Sequence, residues 1–176
     1  RRAPGAVALE MAADGEDEAD SSGGQVASMT YGEMSSDVLR MASFLHGLHS
    51  QLIGDLFGLL VERCFAWLVG LFGVLAAGGA YAPMDSEYPA RRIEYIVEDA
   101  ECGVLVTLRA VRAGVPGSFG GRVVVVEEVL VDFERSDAVS LRSGAAAMMV
   151  AGLPSDAELL DQDKAAYCIF TSGTTG

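Results

Sequence analysis

The chain has 176 residues, 51% apolar and 21% charged, which suits a folded globular protein with enough chain for a real core. Its net charge of −13 argues against nucleic-acid binding, which needs a basic footprint. Residue 1 is Arg, no apolar stretch follows Arg1-Arg2, and the last residue falls inside a loop; the expectation is a piece cut at both ends from a longer chain, without a signal peptide.

Residues 6–9 read as a short strand. Residues 11–25 read as an acidic, Gly/Ser-rich disordered loop, because Glu10, Asp14, Glu16, Asp17, Glu18 and Asp20 fall within eleven residues and no Lys or Arg lies between Arg2 and Arg40. A docking tail is the functional alternative for that run. Residues 26–31 suggest a strand ending at Thr30. Thr30 and Glu33 then form a capping box, in which the hydroxyl accepts from the N–H three residues on and the carboxylate reaches back. In the helix that follows, Val38, Met41, Leu45, Leu48 and Leu52 recur at three and four residues and make one apolar stripe.

Leu56 to Val61 is a continuous apolar run of strand length. A buried helix at about 63–77, a glycine pair and a strand at about 80–84 come next. Pro89 suits the first turn of a further helix, with Ile93, Ile96, Val97 and Ala100 on its buried face. Cys102 to Thr107 and Arg122 to Val126 read as strands, and so do residues 165–170. Strands apolar on both faces, separated by helices, predict an α/β fold: a parallel sheet flanked by helices on both faces. Residues 132–160 lack a clear period and read as a variable insertion.

Cys64, Cys102 and Cys168 stand far apart in apolar surroundings, so buried thiols in a reducing, cytoplasmic compartment are expected rather than a zinc site. His46 and His49 share a helix face at metal-compatible spacing, but no third ligand is evident, and no metal is expected. No formal charge falls between Cys64 and Met84, a run long enough for a membrane span. Gly70, Gly73, Gly78, Gly79 and Pro83 argue instead for a buried helix followed by a strand, and no membrane is expected.

The chain ends with Thr171, Ser172, Gly173, Thr174, Thr175 and Gly176. Glycines that tolerate φ > 0, convergent N–H groups and four hydroxyls are the makings of a backbone cradle for phosphate. A flexible linker is the plain alternative. The GxxxxGK[ST] loop is excluded, because no lysine stands at the required spacing. Glu127-Glu128 and Glu98-Asp99 are adjacent in sequence and point apart, so they offer no acid–base pair, and two clustered histidines do not make a Ser/His/Asp site.

Three segments in order resemble the adenylate-forming superfamily, the AMP-dependent synthetases and ligases. Met29-Thr30-Tyr31-Gly32-Glu33-Met34 resembles its early Thr-Tyr-x-Glu-Leu motif. Gly73 to Asp85 resembles Leu-Lys-Ala-Gly-x-Ala-Tyr-Val-Pro-Leu-Asp, and Thr171 to Gly176 resembles the start of Thr-Ser-Gly-Thr-Thr-Gly-x-Pro-Lys-Gly. Gly78-Gly79-Ala80-Tyr81 and Tyr88-Pro89-Ala90-Arg91-Arg92-Ile93 look most like the amino-acid adenylation domains of nonribosomal peptide synthetases. The resemblance implies that residues 1–176 are a partial N-terminal subdomain of such a domain. It implies ATP with Mg2+, a carboxylic or amino acid substrate, and transfer of the acyl group to a phosphopantetheine thiol on a carrier protein or another module. Residues 171–176 would hold the β- and γ-phosphates, and no catalytic residue lies in this stretch. The first two motifs also have a purely structural reading, as a helix cap and as a helix stop leading into a buried strand.

The family's lysine after this loop, and its adenine, ribose and carboxylate contacts, belong to segments beyond Gly176. Each hydrogen bond to a phosphate contributes about 1.5–3 kcal/mol. Ordering the loop costs about 1–2 kcal/mol per residue. Residues 1–176 alone are therefore expected neither to catalyse nor to hold ATP firmly. A non-catalytic remnant or interaction module is the alternative.

Overall fold

The computed structural model describes residues 3–11, 27–49, 56–132, 153–154 and 164–171. Two strands, β1 (Val7–Met11) and β2 (Ala27–Thr30), pair antiparallel, with Val7 opposite Thr30 and Met11 opposite Ala27. They stand apart from the main sheet. Met11 therefore belongs to a strand, while residues 12–25 of the expected acidic loop lie outside the described residues.

Helix α1 (Tyr31–His49) starts directly after β2. Its capping box forms as expected: Thr30 donates through N and Oγ1 to Glu33 Oε2, each at 2.8 Å, and Glu33 N donates to Thr30 Oγ1 at 3.2 Å. Those bonds favour the ionised carboxylate and hold Glu33 below the usual carboxylate range. The next free N–H groups of the first turn also find partners. Tyr31 N donates to Ala6 O at 3.0 Å and Gly32 N to Pro4 O at 2.8 Å, which ties the chain start to the helix.

The main sheet is parallel, in the order β4–β3–β5–β6, built from β3 (Leu56–Val61), β4 (Ala80–Asp85), β5 (Val104–Thr107) and β6 (Arg122–Val125). The registers are regular: Leu56 faces Ala80, Phe57 faces both Tyr81 and Val104, and Val104 faces Arg122. Val126, expected at the end of the last strand, instead begins a helical stretch over residues 126–132.

Helix α2 (Phe65–Ala76) links β3 to β4, and α3 (Ala90–Asp99) links β4 to β5. These two crossovers run in opposite directions along the sheet, so crossovers of one handedness put their helices on opposite faces. The packing agrees. Phe57, Leu59, Val104, Val106 and Val124 join Met41, Leu45, Val69 and Val74 of α1 and α2 in one cluster. Leu60, Ala82, Met84 and Leu105 join Ile93, Ile96 and Val97 of α3 in the other. Alternate residues of β3 and β5 thus serve two cores, which is why these strands are apolar throughout. Full burial of each such Leu is worth about 1.5–3 kcal/mol. Thr107, the polar residue among the fully buried ones described, satisfies its hydroxyl on Leu60 O at 2.8 Å.

Of the expected α1 stripe, Met41 and Leu45 are fully buried, Val38 and Leu48 partly so, and Leu52 lies outside the described residues. Gly73 lets α2 approach α1: a Cβ there would sit 2.5 Å from Met41 Cγ. Both helix ends close with the same pair of backbone bonds. Gly78 N donates to Leu75 O and Gly79 N to Val74 O, with Gly78 at φ +86°. Glu101 N donates to Glu98 O and Cys102 N to Val97 O, with Glu101 at φ +48°. Glycine accepts that left-handed conformation freely; Glu101 does not.

The apolar run from Cys64 to Met84 divides into α2 and β4, as its glycines suggested. At twelve residues, α2 is about 18 Å long. No helix among the described residues is long and apolar enough to cross a membrane.

Candidate functional site

In an open parallel sheet, ligands bind where the strands end at their carboxyl edge. Here β3 runs out into Glu62 and Arg63, and β4 into Asp85 to Tyr88. The turn after β4 is self-contained. Asp85 Oδ1 accepts from Glu87 N at 2.9 Å, Asp85 O accepts from Tyr88 N at 3.1 Å, and Ser86 Oγ donates to Glu62 Oε1 at 3.2 Å. The carboxylates of Glu62 and Asp85 are therefore engaged in holding the edge together.

Residues 165–170, expected as a strand, deliver the tail to this edge but do not form one. Tyr81 N donates to Ala166 O at 3.1 Å and Cys168 N donates to Tyr81 O at 2.9 Å, giving a single parallel bridge between Tyr81 and Tyr167. The next bond of a parallel ladder would need an N–H two residues on, at position 83. That residue is proline, which has none, so the ladder stops. The direction is nonetheless set. The segment runs parallel to β4, and Ile169 and Phe170 line a cavity of about 570 Å³ together with Glu62, Arg63, Trp67 and Tyr88. Thr171 follows, exposed. Of the expected phosphate-loop residues, Thr171 is described; Ser172, Gly173, Thr174, Thr175 and Gly176 lie outside the described residues.

Helix α3 braces this segment, a feature the sequence did not announce. Arg92 Nη2 donates to Phe170 O at 3.4 Å, and the Arg92 guanidinium lies 4.5 Å from the Tyr88 ring centroid. The Tyr95 ring meets Phe170 edge-on, with centroids 6.2 Å apart at 86°.

A second cavity, of about 500 Å³, sits at the amino end of β4, among Tyr31, Val38, Phe72, Leu75, Gly79 and Lys164. Its walls are mainly apolar and it lies at the opposite end of β4 from Thr171. Other candidate groups resolve into structural roles. His46 Nδ1 lies 3.4 Å from Ala77 O, at the α2 C-terminus, while the side chain of His49 is outside the described residues. No group of three potential metal ligands comes together among the described residues. Glu127 caps the end of β5, accepting from Arg109 N at 3.1 Å through both oxygens, and Glu128 pairs with Arg112 at 3.3 Å. The three cysteines are free. Burial pushes the Cys102 thiol up to about 11, with a smaller contribution from Cys168 nearby.

Fold and edge together define an open parallel α/β protein that brings Thr171 out at the carboxyl ends of its strands. The family model described as AMP-binding enzyme matches residues 1–176, and the chain belongs to that family, as the N-terminal portion of an adenylation domain. It is 31% identical over 148 residues to tyrocidine synthase 3 of Brevibacillus parabrevis, covering 84% of this chain and 2% of that protein. It is 35% identical over 122 residues to gramicidin S synthase 1 of Brevibacillus brevis, covering 69% of this chain and 10% of that protein. Among solved structures it is similar to the nonribosomal peptide synthetase FmoA3 with AMPPNP bound, at a TM-score of 0.52 and 29% identity, over 57% of this chain and 11% of that one. The chain thus spans a small part of the relatives it matches.

Proposed function

We propose that the domain to which these residues belong uses ATP to activate an amino acid. The substrate carboxylate oxygen attacks the α-phosphorus, the bond to the bridging oxygen of pyrophosphate breaks, and an acyl-adenylate forms. A phosphopantetheine thiol of a carrier protein then attacks the acyl carbon, loses its proton, and displaces AMP. Residues 171–176 are the phosphate loop. Their hydroxyls and N–H groups hold the β- and γ-phosphates so that the leaving pyrophosphate stays in line, which is catalysis by positioning and by stabilising charge. Such a loop offers donors to phosphate oxygens rather than a cage for a cation, so Mg2+ would arrive with the triphosphate.

The observation that carries this reading is the course of residues 166–171: parallel to β4 and out onto the carboxyl edge, with Thr171 exposed there. Support comes from the AMPPNP-bound relative, itself a nonribosomal peptide synthetase. The amino-acid class follows from that kinship, and a cytoplasmic location suits an ATP-using enzyme with free thiols.

The test is amino-acid-dependent exchange of labelled pyrophosphate into ATP by the full-length protein, screened over the common amino acids. Exchange with one or a few of them is expected, and residues 1–176 by themselves should give none. No exchange with any of them would favour a non-catalytic role.

A further inference from the structure

The bridge at Tyr81 leaves Ile169, Phe170 and Thr171 without a ladder, because Pro83 cannot donate. In continued register, Phe170 O would accept from the backbone N–H of Asp85. It accepts from the Arg92 side chain instead. We infer that Arg92, held over Tyr88, is a positioning residue that fixes where the phosphate loop begins; the inference rests on the function proposed for residues 171–176.

The chain of support is short. The turn after β4 fixes Tyr88 through its N–H on Asp85 O. The Tyr88 ring face holds the Arg92 guanidinium at 4.5 Å, a favourable placement for a cation on a π system. Arg92 in turn holds the carbonyl directly before Thr171. Phe170 is anchored on its other side by packing against the α3-side core and by the edge of Tyr95. One side chain thus links two segments of the carboxyl edge, that following β4 and that preceding the loop. A planar guanidinium can stack and donate at the same time. An ammonium cannot do both as well, so lysine is a partial substitute.

This makes a functional claim beyond stability. A loop whose first residue wanders meets the triphosphate with its donors out of place, whereas the acid substrate is recognised elsewhere. In the full-length enzyme, Arg92→Ala should raise the KM for ATP in pyrophosphate exchange about tenfold, the size of one lost hydrogen bond to a charged group. The KM for the acid should stay within twofold, and Arg92→Lys should recover part of the loss. Amide hydrogen exchange gives a second arm that needs no activity. In Arg92→Ala, exchange at Cys168, whose N–H is bonded to Tyr81 O, should quicken about tenfold while β3 and β5 keep their protection. Unchanged exchange at Cys168, or a loss of protection across the whole sheet, would overturn the positioning role. Quickened exchange with an unaltered KM for ATP would overturn its link to the nucleotide. A wild-type enzyme that shows no pyrophosphate exchange would strike the proposed function, and the hydrogen-exchange arm would still decide whether Arg92 holds Phe170.

Discussion

The two sides of β4 are built to different standards. Toward β3 it makes a six-residue parallel ladder, from Leu56 opposite Ala80 to Val61 opposite Asp85. Toward residues 164–171 it makes one bridge, and Pro83 ends it. The inner side carries the fold through Leu59, Leu60, Ala82 and Met84, all buried. The outer side carries the segment that leads to Thr171, with Tyr167 and Ile169 more than half exposed. Core packing and the course of the chain to Thr171 are thereby assigned to opposite edges of one strand. Segments that engage ligands are commonly drawn from the less stable parts of a structure.

Removing inner packing should have the largest effect. Leu59→Ala empties a fully buried position between the sheet and helices α1 and α2, and should cost about 3 kcal/mol in urea unfolding. The outer segment should lose protection with it, since its sole backbone partner among the described residues is β4. If residues 166–168 stayed protected while β3 opened, the dependence of the outer side on the inner would be wrong.

The inner framework can also be strengthened alone. Glu101 holds φ +48° at the C-terminus of α3, in the place that Gly78 fills after α2. Glu101→Gly should stabilise the chain by about 1 kcal/mol. Amide exchange at 167–170 measured through local opening should not change. A destabilised variant would show that Glu101 is held by something other than its backbone.

Pro83→Ala sharpens the contrast at almost no net cost. The new N–H can reach Cys168 O and gain about 1 kcal/mol, while the unfolded chain regains freedom worth about 0.4–1 kcal/mol. The unfolding midpoint should scarcely move, yet exchange at the Cys168 amide should slow several-fold. Unaltered exchange there would mean that proline is not what stops the ladder.

The smallest effect lies far from both edges. Glu33 is held below its ordinary value by its bonds to Thr30. A carboxyl lowered on folding adds stability that is present above its unfolded pKa and lost as pH falls through its folded one. Unfolding midpoints between pH 6 and pH 3 should fall slightly less in Glu33→Gln than in the wild type. Equal slopes would remove the capping box from the acid response.

Most of the framework was legible because each signal rests on local chemistry. The capping box needs Thr30 and Glu33 three apart, and both core faces of β3 show as an unbroken apolar run. The glycine pair marked the end of α2. The end of α3 was harder to read, since Glu101 occupies a glycine position. The antiparallel pairing of β1 with β2 was not visible, because period-two patterns do not name partners. For the candidate site, composition pointed to residues 171–176 and placed a strand before them. Pro83 already carried the news that this strand would be reduced to a bridge, since proline on an edge removes a donor. Tyr88 and Arg92 stood in a segment singled out for its resemblance, but their brace on Phe170 had no signal, because Arg92 and Phe170 meet only when α3 packs on the sheet.

We propose that residues 171–176 grip a triphosphate. A crystal structure of the full-length protein with AMPPNP and its amino acid tests it most directly. The β- and γ-phosphate oxygens should lie within hydrogen-bond distance of residues 171–176, beside the carboxyl end of β4. A nucleotide bound with its phosphates away from that edge, and the loop free of them, would contradict it.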